Sequence, residues 1–172
     1  REQEQKIAKY HKKEWYHKVR HTWTSDGFLV VIGKDAGTNE NLVKKHTEED
    51  DLVLHSHAPG SPFGVIKQGR EHISQEGIEE AAQFLLCFSK QWKAGFGTAD
   101  GFWVYHEQVT KKTKSGEFMN KGSFMTYGDV HHLKNIPLQI GLGVIKKTIE
   151  TEDETLSYET LFSGSAKACQ TY

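Results

Sequence analysis

Ser25-Asp26-Gly27-Phe28-Leu29-Val30-Val31-Ile32-Gly33 decides how this chain is read. A Ser-Asp-Gly turn is followed by five apolar residues, most of them β-branched, and a glycine closes the run. Such a run is too short for a helix and too evenly apolar for a half-exposed strand, so it predicts a strand buried on both faces. Working outward, Asn39 to His46 reads as a short helix with Thr38 as N-cap. Glu48-Glu49-Asp50-Asp51 reads as a solvated acidic loop. Leu52 to Ser56 and Phe63 to Lys67 read as strands around the turn Ala58-Pro59-Gly60-Ser61-Pro62. Ser74 is an N-cap with Gly77 at N3, and Glu76, Glu79 and Glu80 suit the positive end of the helix dipole. Ile78, Ala81, Ala82, Phe84, Leu85, Phe88 and Trp92 extend one core-facing stripe toward Gly95, with Lys90 and Lys93 completing the charge pattern.

Phe102 to His106, Ser123 to Tyr127 and Leu138 to Ile145 are further strands. Thr148 to Leu161 fits either an acidic edge hairpin or a last helix. At the other end, Ile7, Tyr10, His11, Trp15, Val19 and Trp23 recur every three to four residues, so residues 1–24 read as a helix. That helix is either the end of a coiled coil or a fraying terminal helix. The expected fold is α+β: a mixed β-sheet with one long central helix, one short helix and the N-terminal helix. The expected organisation is a linker helix over 1–24, a domain over 25–147, and an acidic extension over 148–172 packed on it or following it.

The 172 residues suffice for one compact domain. The net charge of −1 makes no global case for a nucleic-acid partner. Its distribution is uneven: residues 1–20 carry a net +4, while residues 148–172 hold five acids and one base. No apolar run approaches the roughly 18 residues of a membrane span, so no membrane partner is expected. The polar N-terminus does not read as a signal peptide, and the start at Arg1 reads as a piece of a longer chain or a processed product. The 2 cysteines, Cys87 and Cys169, are too few for a disulfide scaffold or a cysteine zinc site, which fits a cytoplasmic location.

Catalytic motifs are missing. The 10 histidines include His55-x-His57 and His131-His132, but no H-E-x-x-H, and their spacing forces no convergence of metal ligands. There is no G-x-S-x-G, no P-loop and no complete dinucleotide fingerprint. No cofactor, no metal and no enzyme activity are expected. What stands out is a set of lysines among neutral donors and rings. Lys34, Lys44 and Lys45 flank the first short helix, and Lys111, Lys112, Lys114 and Lys121 cluster around one loop. Gln108, Thr110, Ser115 and Ser123 lie beside them, with Tyr105 and Phe118 nearby. Lysines attract phosphates, amides and hydroxyls orient a backbone, and rings stack on unpaired bases. The plainer reading is a solvated basic loop.

Several motifs, in order, resemble the NFACT-R domain, the RNA-binding module of the NFACT proteins, which also carry the older label fibronectin-binding protein A. They are Ser25 to Ala36 with Asn39-Glu40-x-Leu42-Val43-Lys44-Lys45, then Asp51 to His55 and Gly60-Ser61-Pro62-Phe63-x-Val65-Ile66-Lys67. Glu80-Ala81-Ala82 and Ser89-x-x-Trp92-Lys93 follow. Trp103-Val104-x-x-x-Gln108-Val109-Thr110-Lys111, Ser115 to Phe118 and Lys121 to Met125 complete the series. The likeness covers residues 15–145. It departs at His57, where the family carries an acid, and at Tyr127 and Asp129, which replace basic residues. The resemblance implies a parent protein that binds obstructed large ribosomal subunits, recruits tRNA and supports template-free tailing of the stalled chain. This domain would grip tRNA or ribosomal RNA beside the parent's other domains, leaving peptide-bond formation to the ribosome. On that reading Lys34, Lys44, Lys45, Lys67, Lys111, Lys114 and Lys121 contact phosphates. Asn39, His55, Gln108, Thr110 and Ser123 position the backbone or hold loop geometry. The older label implies the alternative, a protein-interaction or adhesion domain without a nucleic-acid role.

Overall fold

A computed structural model describes residues 2–172. Six strands form the main sheet: β1 (Arg20–Trp23), β2 (Leu29–Ile32), β3 (Leu52–Ser56), β4 (Gly64–Ile66), β5 (Thr98–Tyr105) and β8 (His131–Pro137). Their order is β1-β2-β4-β3-β5-β8. Two short strands, β6 (Val109–Thr110) and β7 (Met125–Thr126), pair with each other, as do the long strands β9 (Gly141–Glu150) and β10 (Thr155–Gly164). The helices are α1 (Glu2–Tyr10), α2 (Ala36–Lys45), α3 (Gln75–Leu86), α4 (Lys90–Lys93) and α5 (Ala166–Thr171).

The fold is α+β, as the sequence implies, but every strand pairing among the described residues is antiparallel, so the sheet is not mixed. The connections explain why strand–helix–strand alternation misleads here. β2 and β3, joined through α2, run in the same direction, but β4 lies between them and pairs antiparallel with both. β4 and β5, joined through α3, are likewise separated by β3.

The sheet is covered on both faces. Val30, Ile32, Leu52, Leu54 and Ile66 point toward α3, where Ala81, Phe84 and Leu85 meet them. Val31, Val53, Val65 and Val104 point the other way, against Leu42 of α2 and Phe63. Double coverage accounts for the unbroken apolar runs of β2 and β3.

Several expected elements change. The helix over 1–24 is confined to Glu2–Tyr10; a 3₁₀ turn follows at Trp15–Lys18, and Arg20–Trp23 becomes strand β1. Val19 and Thr22 are buried, and β1 supplies the neighbour that β2 would otherwise lack on that edge. The sheet therefore begins ahead of residue 25. Asp35, not Thr38, caps α2: its carboxylate accepts from the Thr38 amide at 2.8 Å. The Ser74 cap is present, with its hydroxyl accepting from the Gly77 amide at 3.0 Å. The long helix stops at Leu86, because Ser89 adopts an extended conformation and opens the separate α4. Asp51 is fully buried rather than solvated. The strand expected over 138–145 starts at Gly141, and β8 precedes it, unforeseen because only Leu133 and Ile136 face the core and left-handed Asn135 breaks their alternation. Thr148 to Leu161 forms the hairpin of the two alternatives, as part of β9–β10, and not a helix; the last helix, α5, follows it at Ala166–Thr171.

Candidate nucleic-acid interface

The site starts where β2 ends. Gly33 leaves no room for a side chain, since Asn39 lies directly over it. Asn39 Oδ1 accepts from the Phe63 amide at 3.4 Å, tying the first turn of α2 to the approach to β4. Arg20 reaches across from β1, donating to the Gly33 carbonyl at 3.0 Å while its guanidinium lies 4.5 Å from the Phe88 ring centroid. The loop between β6 and β7 closes over the other side. Gly122 packs so tightly on α2 that a Cβ there would stand 2.6 Å from Ala36 Cα.

Glu40 holds that loop. It accepts from Lys111 at 2.7 Å and the Gly122 amide at 2.9 Å, and pairs with Lys44 at 2.7 Å. The two lysines and the amide pull its carboxyl down to about 2.

Between these walls lies a cleft of about 420 Å³. Arg20, Lys34, Lys90, Lys93 and Lys121 line it, against one acid, Asp35. Hydrogen bonds from the Thr38 amide and hydroxyl keep Asp35 below the usual carboxylate range, so it stays ionised beside the lysines. Among the described residues, none of the four lysines forms an ion pair. Their charge is unspent, and a concave wall of one sign concentrates counter-ions. Gly60, Ser61, Gly122 and Ser123 are shared with an adjoining hollow of about 300 Å³, whose other walls include Phe102, Met119 and Phe124.

The cleft gathers four of the residues singled out in the sequence: Lys34, Asn39, Lys121 and Ser123. The others lie elsewhere or are engaged. Lys67 Nζ bonds Asp51 at 2.5 Å, Glu48 at 3.3 Å and the His46 carbonyl at 3.1 Å. Lys111 Nζ, besides Glu40, donates to the Asn120 and Ser123 carbonyls. Lys44 is paired with Glu40, Lys45 is exposed at the end of α2, and Lys114 is exposed in the loop after β6. His55 is mostly buried, with Nε2 3.2 Å from the Ser61 carbonyl, and burial lowers its pKa. Gln108 is fully used in holding the Tyr105 amide and the Tyr127 and Asp129 carbonyls. Thr110 accepts from the Lys112 amide. Arg20, Ser89, Lys90 and Lys93 were not singled out as binding residues. The signal available was the Ser89-Lys90-x-x-Lys93 spacing, which places two cations on one side of a short helical turn.

Among the described residues, no three metal-ligating side chains converge and no helix is long and apolar enough to cross a membrane.

A small antiparallel α+β domain with a cation-lined cleft is the class that fold and site define. The family described as the NFACT protein RNA binding domain matches residues 12–128. The archaeal Rqc2 homolog aRqcH of Methanocaldococcus jannaschii is 41% identical over 150 residues, covering 87% of this chain and 22% of that protein. The human ribosome quality control complex subunit NEMF is 33% identical over 146 residues, covering 84% of this chain and 14% of NEMF. A solved structure, the C-terminal part of the fibronectin/fibrinogen-binding protein from Streptococcus suis, superposes with a TM-score of 0.57. It is 22% identical and covers 74% of this chain and 47% of that one, a likeness of fold. The chain belongs to the NFACT RNA-binding domain family. It spans about a fifth or less of the length of these ribosome quality control relatives.

Proposed function

We propose that this chain is the RNA-gripping module of a cytoplasmic ribosome quality control factor, acting on tRNA or ribosomal RNA at an obstructed large subunit. The observation that carries this reading is the set of four unpaired lysines around one cleft. Their charge suits a phosphate backbone, and the hollow alongside, with Phe102 and Phe124, suits an unpaired base. In this reading the parent protein supports template-free tailing of the stalled chain, and bond formation stays with the ribosome. The module binds and orients; it is not itself an enzyme.

The test is a titration with labelled tRNA at several salt concentrations. Four to five phosphate contacts on single-stranded segments give log K against log salt a slope of about −3. Absence of binding at low salt, or binding insensitive to salt, overturns the reading. Salt-insensitive capture of a protein would instead favour adhesion, for which the exposed Leu142, Val144 and Leu161 on the β9–β10 hairpin offer an apolar surface.

A further inference from the structure

Ser89 is the anomaly of the cleft. It is 1% exposed, it lines the cleft, and its hydroxyl has no hydrogen-bond partner. It occupies the N-cap position of α4 but makes no side-chain cap bond. A buried hydroxyl left unpaired destabilises a fold, and native structures rarely keep one without a use. The other such atom among the described residues, Gln91 Oε1, lines a separate hollow with Asp100 and Asn135, where no cation gathers.

Around Ser89 the cations come from four separate parts of the chain. Lys90 and Lys93 follow it on α4, and a Cβ on Gly60 would lie 3.2 Å from Lys90 Nζ, so the glycine leaves that ammonium its path. Lys34 and Lys121 line the same cleft, and Arg20 is fixed by the Gly33 carbonyl and the Phe88 ring. A hydroxyl donor sharing a cleft with five cations matches the acceptor oxygens of one phosphate group.

Resting on the RNA reading above, we propose that the Ser89 end of this cleft is a seat for a single RNA phosphate. The Ser89 hydroxyl donates to a non-bridging oxygen, and Arg20, Lys90 and Lys93 balance its charge. The phosphate is either the 5′-terminal group or an internal phosphodiester, which share this chemistry.

The experiment measures binding of a single-stranded RNA decamer, with a 5′-phosphate or a 5′-hydroxyl, to the 172-residue chain and its variants. Ser89→Ala removes the unpaired hydroxyl. It is expected to weaken binding about tenfold and, at the same time, to raise the melting temperature. A merely structural serine would not give those opposite signs. Lys90→Gln with Lys93→Gln is expected to flatten the salt slope by about 1, whereas Lys134→Gln, exposed on β8, leaves it unchanged. A preference for the 5′-phosphate that Ser89→Ala abolishes places the terminal group in the seat; equal binding of the two RNAs, equally weakened, places an internal phosphodiester there. RNA binding that survives all these changes intact overturns the seat and leaves the RNA reading standing. An unaltered chain that binds neither RNA at low salt overturns both.

Discussion

Lys34 and Lys67 are the same side chain with opposite occupations. Lys67 is committed to Asp51, which is fully buried and also takes the Glu48 and Gln68 amides. Lys34 carries no such partner and faces the cleft. Lys67→Ala leaves Asp51 with amides alone, an uncompensated buried charge. Chemical denaturation should show a loss of about 3 kcal/mol, and RNA affinity should stay within about twofold. Residue type announces a cation in the sequence but not whether its charge is already spent. The partners of Lys67 and Lys111 lie 16 and 71 positions away, and pairing over such distances is decided by the fold. Gln108 shows the same for an amide, consumed at both ends by backbone groups it holds in place, whereas Asn39 spends only its Oδ1, on the Phe63 amide.

At the scale of elements, the cleft depends on the loop between β6 and β7 staying pressed against α2. Two features press it there, Gly122 and Glu40. Gly122 has φ +79°, and its Cβ position is blocked by Ala36, so Gly122→Ala should push the loop outward. Weaker RNA binding with little change in the melting of the main sheet is the expected result of a parallel titration and calorimetry experiment. Glu40 responds to pH. Its carboxyl titrates near 2 in the folded chain against an ordinary 4.5, so its hold on the loop is complete above about 4.5 and fades as pH falls through about 2. The amide signals of Gly122 and Ser123 should shift over that interval in NMR spectra, ahead of any global unfolding.

Local chemistry was legible where it acts over a few residues: the Ser74 cap, the turn before β2 and the runs of β2 and β3 could all be read directly. β1 could not, because His11, Trp15, Val19 and Trp23 keep a helical spacing that runs into a strand whose partner comes later in the chain. The main-sheet order could not either, since it is set by which strand slides between two others.

At the scale of the molecule, Glu80 of α3 joins distant parts. It accepts from the Ser25 amide and hydroxyl and from the Ser165 hydroxyl, binding the turn before β2 and the cap of α5 to the helix that covers the sheet. Glu80→Ala strands those donors in a site only 8% exposed, and an equilibrium unfolding curve should show a loss of about 3 kcal/mol. Alongside it, Thr22 donates to the Ser163 carbonyl at 2.6 Å and the Tyr172 hydroxyl donates to the Thr24 carbonyl at 2.8 Å. The carbonyl of Thr24 thus meets a side chain 148 positions further on.

That closure sets an order in time. A ribosome releases residues one after another, so β1, the turn at Ser25 and Glu80 all emerge while Ser163, Ser165 and Tyr172 are still unmade or inside the exit tunnel. Until they appear, the Thr22 hydroxyl and the part of the Glu80 carboxylate that Ser165 will bind must be served by water, and contacts this far apart in sequence form slowly even once available. Synthesis halted short of Ser163 would therefore leave a half-sealed molecule with its first strand loosely held, the sort of unfinished product that a stalled ribosome presents.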